Sequence, residues 1–423
     1  VNLFSRFYYR LHRIVKTIRL YLVISGPGII VMLADNDAGG ITTYAATGAR
    51  YGYELIWFLV LLGPIAYFIQ EMTVRLGVVT KRGHAEGVFE AFGPFWGWFT
   101  LIDLVFMNWL TLITEFIGMT AALSIFKVPP FLTVIMVCGI MTIMVLRGRY
   151  WTWEKIAFLF CALNLVYIPA AFIVHPDVSQ ILRQGMVPHF PGGFSGQLFF
   201  FLMANIGTTI APWMIFFQQS SVVDKGLQEK DIPWGQLDTF IGAIFTVLVA
   251  IFCIVVTGTL LKGVDIQSAA EASIMLMSIN KYLGTFLAIG LFNAGFLGAI
   301  CISLASSWAF GEVFGWAHSL NQKVREAPWF YAFYFLTLFS SAAMVLIPGA
   351  PLVLITLFVQ VIAVTLLPAI LVFLILLLND RSIMGKHANS LFQNVVSITI
   401  AGGIIILSTL YVLSVLFPGL FAA

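Results

Sequence analysis

Two short stretches of this 423-residue chain hold the residues best placed to do chemistry. The first is Asp35-Asn36-Asp37-Ala38-Gly39-Gly40, in the middle of an otherwise apolar segment from Gly26 to Ala49. A carboxylate at membrane depth costs about 2.5–3.5 kcal/mol on insertion scales, and each glycine weakens a helix by roughly 1 kcal/mol relative to alanine. A continuous lipid-facing helix through this hexad is a poor solution; an unwound turn lining a polar cavity is a better one. The second stretch is Gly207-Thr208-Thr209-Ile210-Ala211-Pro212-Trp213. Pro212 removes a helix hydrogen bond and clashes with the preceding turn. Asp37 supplies a hard anionic oxygen, and unwound backbone frees carbonyls such as those of Ala34 and Thr208. The C-terminal end of the first half-helix adds partial negative charge. Together these predict a cation site, whereas an amino-acid carboxylate would favour a site without Asp37.

The elements that carry these stretches follow from composition. The chain is 60% hydrophobic and only 10% charged, with mean hydropathy +0.99, too apolar for a soluble domain. Eleven apolar runs read as membrane spans, at roughly 22–48, 55–79, 97–125, 129–146, 151–174, 196–222, 238–262, 281–313, 329–348, 350–378 and 390–417. Strand alternation is absent, and helices satisfy the backbone in lipid. Of the 22 Lys and Arg residues, 17 fall on one side and 5 (Arg50, Lys127, Arg183, Lys262, Lys281) on the other. The positive-inside rule then places the N-terminus in the cytoplasm and the C-terminus outside. Residues 1–21 form a basic segment on the cytoplasmic membrane surface rather than a cleavable signal, and residues 22–423 a single transport domain. The two broken stretches lie in spans one and six. Two five-span units, about 22–174 and 196–378, in inverted repeat bring them face to face at the midplane, with 390–417 as a final helix.

Other polar positions are weaker signals. Glu115 in span three reads as a second acidic wall of the cation path or as a hydrogen-bonded packing residue. Asp103 and Asn108, nearer the start of that span, suggest an entrance. Glu71 and Arg75 have the spacing of an i,i+4 pair. Gln360 in span ten is a candidate polar ligand. The six histidines fall in loops or near span ends, so no imidazole is expected at the midplane, which argues against a nitrogen-rich site or a histidine proton relay. Cys138, Cys161, Cys253 and Cys301 lie in apolar runs and read as small buried hydrophobes. The sequence contains no H-E-x-x-H, nucleophile elbow or phosphate-binding loop, which points away from an enzyme and from a primary pump.

At these residues the sequence resembles the Nramp family of divalent-metal transporters over nearly its whole length. The matching segments are GPG…D-A-G-G…GA in span one, VRLGVVTKRG after span two, EFIG in span three, IGTTIAP in span six and VQVIAVTLLPAIL in span ten. The resemblance implies an all-α polytopic membrane protein with a LeuT-like five-plus-five inverted repeat. Its first broken helix carries D-P-G-N and its sixth M-P-H. Here the aspartate is kept as Asp37, while the proline becomes Ala38 and the asparagine ligand Gly40. The methionine ligand becomes Ala211, the proline stays as Pro212, and the histidine becomes Trp213. The D-x-x-E pair associated with proton movement becomes Leu112 and Glu115. Gln360 matches a family glutamine, and a second glutamine position holds Leu366. The implied metal set is Asp37, Ala34, Thr208, Glu115, Gly40, Ala211 and Gln360, with Trp213 and Leu112 at positions that set selectivity or gating.

Loss of the methionine removes the thioether that favours transition metals, and glycine for asparagine removes an oxygen while opening space. One carboxylate, carbonyls and room for water suit Mg²⁺, which sheds water reluctantly and is held by one or two carboxylates. The pattern resembles the Nramp-related magnesium transporter branch. The expectation is therefore a secondary transporter of Mg²⁺, with Mn²⁺ as a second substrate and no proton coupling. It works as a monomer in the plasma (inner) membrane. Its partners are the divalent ion and the lipid bilayer, with no cofactor and no nucleic acid. The competing readings are a proton-coupled Mn²⁺/Fe²⁺ transporter, an amino-acid transporter of the same fold, and a metal sensor that does not transport.

Overall fold

A computed structural model describes residues 25–147, 149–266, 268–347 and 352–417; the basic segment 1–21 and the start of span one lie outside them. Span one is two helices, α1 (Pro27–Ala34) and α2 (Ala38–Tyr51), separated by Asp35, Asn36 and Asp37. The chain continues through α3 (Ile56–Thr80), α4 (His84–Phe92), α5 (Pro94–Ser124), α6 (Pro130–Arg147) and α7 (Tyr150–Leu163). A single 3₁₀ turn joins α7 to α8 (Tyr167–Ile173), and α9 (Val178–Gly185) follows. Span six is likewise split, into α10 (Gly196–Thr209) and α11 (Pro212–Lys225). Then come α12 (Ile232–Leu260), α13 (Ala269–Ile279), α14 (Lys281–Phe314), α15 (Pro328–Met344), α16 (Leu352–Asn379) and α17 (Leu391–Leu416).

Among the described residues nine helical segments are long and apolar enough to cross a membrane. The broken α1/α2 pair and the 17-residue α15 supply the other two of the eleven expected crossings. Span seven begins at Ile232 instead of 238: Pro233 sits in the first turn, where it suits a helix start, and Ile232 and Gly235 are buried there. Asp238 is buried, and its carboxylate accepts from Gly26 N (3.0 Å) and Gly28 N (2.7 Å). That places an anion at the N-terminus of α1, where the helix dipole favours it. Three of these helices fall between the expected spans, as does a four-residue helical turn at Arg381–Met384. α9 is started by Asp177, which accepts from the Ser179 and Gln180 amides, and α13 by Ser268, which accepts from Glu271 N. The third is α4.

α14 is apolar on all sides and buried along most of its length, so it sits at the centre of the bundle. α6 and α17 turn large side chains outward, among them Phe131, Ile135, Phe392 and Ile398, as a lipid-facing surface requires. Residues expected on one side do gather at one end. Arg75 Nη1 donates to His387 O (3.0 Å), Gln219 Nε2 to Arg82 O (3.0 Å), and Lys386 pairs with Glu229 (3.0 Å). At the opposite end Arg50 donates to Gln197 (2.7 Å) and Lys262 pairs with Glu54 (3.3 Å). The first group marks what is called the basic end below.

Candidate functional site at the two helix breaks

Each break frees a particular carbonyl. In an unbroken helix the Ala34 carbonyl would accept from Ala38 N; here that amide donates to Glu115 Oε2 at 2.9 Å instead. The Thr208 carbonyl would accept from residue 212, which is Pro212 and has no N–H. Both carbonyls named from the sequence therefore stand at half-helix ends without their helical donors. The first break is fixed from outside: Thr246 Oγ1 donates to Met32 O, and Asn164 Nδ2 donates to Leu33 O at 2.9 Å. Asn164 is in turn held by Asn293 of α14 at 2.6 Å.

Asp37 caps α2. Its Oδ1 accepts from Gly40 N at 2.6 Å, and its carboxyl lies within hydrogen-bonding reach of that of Glu115. Asp37 and Glu115 meet over a glycine of α14. A methyl group on Gly298 would lie 3.0 Å from both Asp37 Cβ and Glu115 Oε2. Glu115 is thus a hydrogen-bonded support of the α2 terminus whose carboxylate lies beside Asp37. Gly40 contributes by lacking a side chain, since a Cβ there would fall 2.4 Å from Thr208 Oγ1 and 3.2 Å from Asp37 Oδ1. Thr208 Oγ1 is buried without a hydrogen-bond partner. Gln360 joins the two breaks: its carbonyl would lie 2.1 Å from a Cβ on Gly207, and its Nε2 would lie 2.2 Å from one on Gly39. That Nε2 is also buried and unpartnered. Tyr44 of α2 and Thr209 of α10 close the far side with a hydroxyl pair at 3.2 Å.

Ala211 does not offer a free amide or side-chain ligand. Its N–H donates to Met214 Sδ at 3.3 Å, and its carbonyl accepts from Met214 N at 3.1 Å. Trp213 packs away from the break in an aromatic series, with ring centroids 6.0 Å to Phe217 and a further 5.6 Å from Phe217 to Trp308. Leu112 is a fully buried core residue one turn before Glu115. Asn108, read as an entrance residue, instead ties α5 to α14 by donating to Ser306 Oγ at 2.9 Å. Asp103 is buried with neither carboxylate oxygen hydrogen-bonded. His84 opens α4 fully buried, with its ring edge-on to Phe216 at 4.9 Å, so this histidine is part of the packing rather than of a loop.

Sequence reasoning missed two residues. Asp35 is fully buried in the first break, and neither of its carboxylate oxygens meets a donor. Its signal was present, an acid two residues from Asp37 with no neighbouring base in the sequence. Met214 keeps a thioether at the second break, although the family's methionine position is Ala211; one helical turn separates the two. Among the described residues, no three His, Cys, Asp or Glu side chains converge closely enough to hold an ion directly. Any ion at the breaks must keep water or use backbone and amide oxygens.

Comparison with known proteins agrees with this architecture. Residues 28–414 match the family described as natural resistance-associated macrophage protein-like. A divalent metal cation transporter MntH of Deinococcus radiodurans is 23% identical over 308 residues, 70% of each chain. The MntH of Caldanaerobacter subterraneus is 24% identical over 306 residues, 70% of this chain and 67% of that one. The manganese transporter of Eremococcus coleocola superposes with TM-score 0.79 at 18% identity, covering 94% of this chain and 87% of its own. MhsT in complex with L-phenylalanine superposes with TM-score 0.61 at 15% identity, over 91% of this chain and 98% of its own. The all-α bundle, its five-plus-five inverted repeat with breaks in spans one and six, and the match along nearly the whole sequence lead to one assignment: this integral membrane chain belongs to the Nramp family.

Proposed function

We propose that the protein is a secondary transporter that carries Mg²⁺, with Mn²⁺ as a second substrate, by alternating access and without proton coupling. The observation that carries this reading is the set of hard oxygen groups at the breaks: the unpartnered Asp35 carboxylate, the Asp37 carboxylate beside Glu115, and the Ala34 and Thr208 carbonyls without their helical donors. Buried polar groups in proteins are otherwise almost always paired, and an isolated buried carboxylate is the costliest exception. A divalent ion supplies the missing charge. The ligands are oxygens, and they are too dispersed to strip an ion bare, which suits an ion that retains part of its water shell. Ca²⁺, which takes 6–8 oxygen ligands, is disfavoured. The relatives are divalent metal cation transporters, which supports the same class of cargo. Trp213 and Leu112 stand where the family's proton-handling histidine and aspartate are expected, which supports uncoupled movement down a gradient. The Lys and Arg distribution supports an N-terminus in the cytoplasm and a C-terminus outside.

One observation favours a second reading, a proton-coupled transition-metal transporter. The Met214 thioether lies at the second break, and a swing away from the Ala211 amide would present soft sulfur to an ion. Reconstitution in liposomes separates the two. Trapped indicators would follow Mg²⁺, Mn²⁺ and Cd²⁺ entry together with internal pH. Mg²⁺ entry without acidification is the expected result. Mn²⁺ and Cd²⁺ entry with acidification, and no Mg²⁺ entry, would replace the proposal with the second reading.

A further inference from the structure

A second polar cavity, of about 290 Å³, lies where α11 and α14 approach the basic end. Ser220 and Asp224 line it from α11, Trp308 and Glu312 from α14, and His318 and Ser319 from the loop that follows. Glu312 is only 6% exposed. Its Oε1 accepts from Ser220 Oγ at 2.5 Å, and its Oε2 meets no donor. The carboxylate is wedged against the α3–α4 turn, where a Cβ on Gly83 would fall within 2.0 Å of both its oxygens. Asp224 accepts from Ser319 Oγ and from Leu320 N at 3.0 Å, which anchors the loop beside it. His318 Nδ1 faces the Trp316 carbonyl, so in the neutral ring Nδ1 is the donor and Nε2 the acceptor. No Lys or Arg among the described residues forms an ion pair with Glu312 or Asp224. The nearby Arg82 is paired with Glu86 and Glu90, and Lys225 with Glu154.

Two carboxylates and an imidazole lone pair, in a polar cavity without a protein cation, match the chemistry of a divalent metal ion. The volume corresponds to on the order of ten waters at about 30 Å³ each, enough for an ion with most of its octahedral water shell. The three groups do not converge tightly enough for direct coordination by all of them, so contact runs partly through water. The cavity is connected to the breaks by the same two helices. At 1.5 Å per residue, Ser220 lies roughly 14 Å along α11 from Ala211, and Glu312 roughly 21 Å along α14 from Gly298. Between them stand the rings of Trp213, Phe217 and Trp308, the last of which forms part of the cavity wall.

We propose that this cavity is a second divalent-cation site, in which Glu312, Asp224 and His318 hold a hydrated ion on the basic side of the aromatic layer. Its place as a stop on the transport route rests on the proposed reading of the breaks; its capacity to bind an ion does not. The test is equilibrium Mn²⁺ binding to the purified full-length protein, followed by electron paramagnetic resonance, with Mg²⁺ as competitor. Wild type should bind two Mn²⁺ per chain, Asp37→Asn one, and Asp37→Asn combined with Glu312→Gln none. Asp224→Asn combined with Asp37→Asn is an independent variant, expected to weaken the remaining site at least tenfold, and gel filtration checks that each variant is folded. One Mn²⁺ on wild type and on Glu312→Gln, with none on Asp37→Asn, would overturn the second site while sparing the breaks. Two Mn²⁺ on Asp37→Asn, falling to one with Glu312→Gln, would overturn the reading of Asp37 and support the second site.

Discussion

The two ends of α1 treat buried charge in opposite ways, one through ion pairs and capped amides and the other through a carboxylate with neither. At the basic end Glu71 takes two bonds from Arg75, at 3.0 and 3.1 Å, and a third from Gln236 at 2.7 Å. Lys225 pairs with Glu154 at 2.6 Å and donates to Ser25 O at 2.7 Å, while Asp238 holds the amides of Gly26 and Gly28. These contacts clamp the start of α1. At the break, only eight residues further along the chain, Asp35 has no cation and no well-formed hydrogen bond, and Asp37 spends one oxygen on its own helix cap. The helix that is held at one end by an ion pair and a capping carboxylate ends at the other in a carboxylate with neither cation nor capped amide. An unpaired buried carboxylate is the exception that calls for a ligand.

Substitutions should separate the two regions. The largest effect is expected for Asp37→Ala. Divalent-ion uptake into liposomes should fall to background while the protein stays folded by gel filtration, and full Mg²⁺ transport would remove Asp37 from the site. Next, Glu71→Gln leaves the buried Arg75 guanidinium unpaired. It should cost about 3–5 kcal/mol in thermal stability in detergent, yet leave stabilisation by added Mg²⁺ intact. Loss of the Mg²⁺ response there would erase the distinction between the ends. Asp35→Asn should act in the reverse sense. Removing an unpartnered buried charge should stabilise the ion-free protein by about 1–3 kcal/mol and weaken Mg²⁺ binding, read by calorimetry. The smallest effect concerns shape. Gly40→Ala meets Thr208 Oγ1 and should slow uptake by an amount equivalent to roughly 1–3 kcal/mol. Adding Thr208→Ala should restore most of the rate, because the carbonyl proposed as ligand remains.

Much of this contrast was legible in the sequence because it rests on residues with unusual backbone demands. Two acids before two glycines located the first break, and Pro212 located both the second break and the carbonyl it frees. The Glu71–Arg75 pair followed from helical spacing. Other features depend on distant partners that spacing does not encode. Glu115 frees Ala34 by taking the Ala38 amide, 77 positions away. Gln360 reaches both breaks only because α16 crosses them. Asp238 and Asn108 are polar residues at span starts, and only packing shows that they face inward. The α13 helix was missed although Ser268 and Glu271 carry a readable capping signal, because its 11 residues are too short to register as a span.

The central claim is that the unsatisfied groups at the breaks hold the cation. Anomalous diffraction from Mn²⁺-soaked crystals at the manganese edge addresses it directly. A peak is expected between α1 and α10, within direct or one-water reach of Asp37 Oδ2 and the Ala34 and Thr208 carbonyls. Mn²⁺ bound elsewhere in the chain, with no peak at the breaks at saturating concentration, would contradict the account.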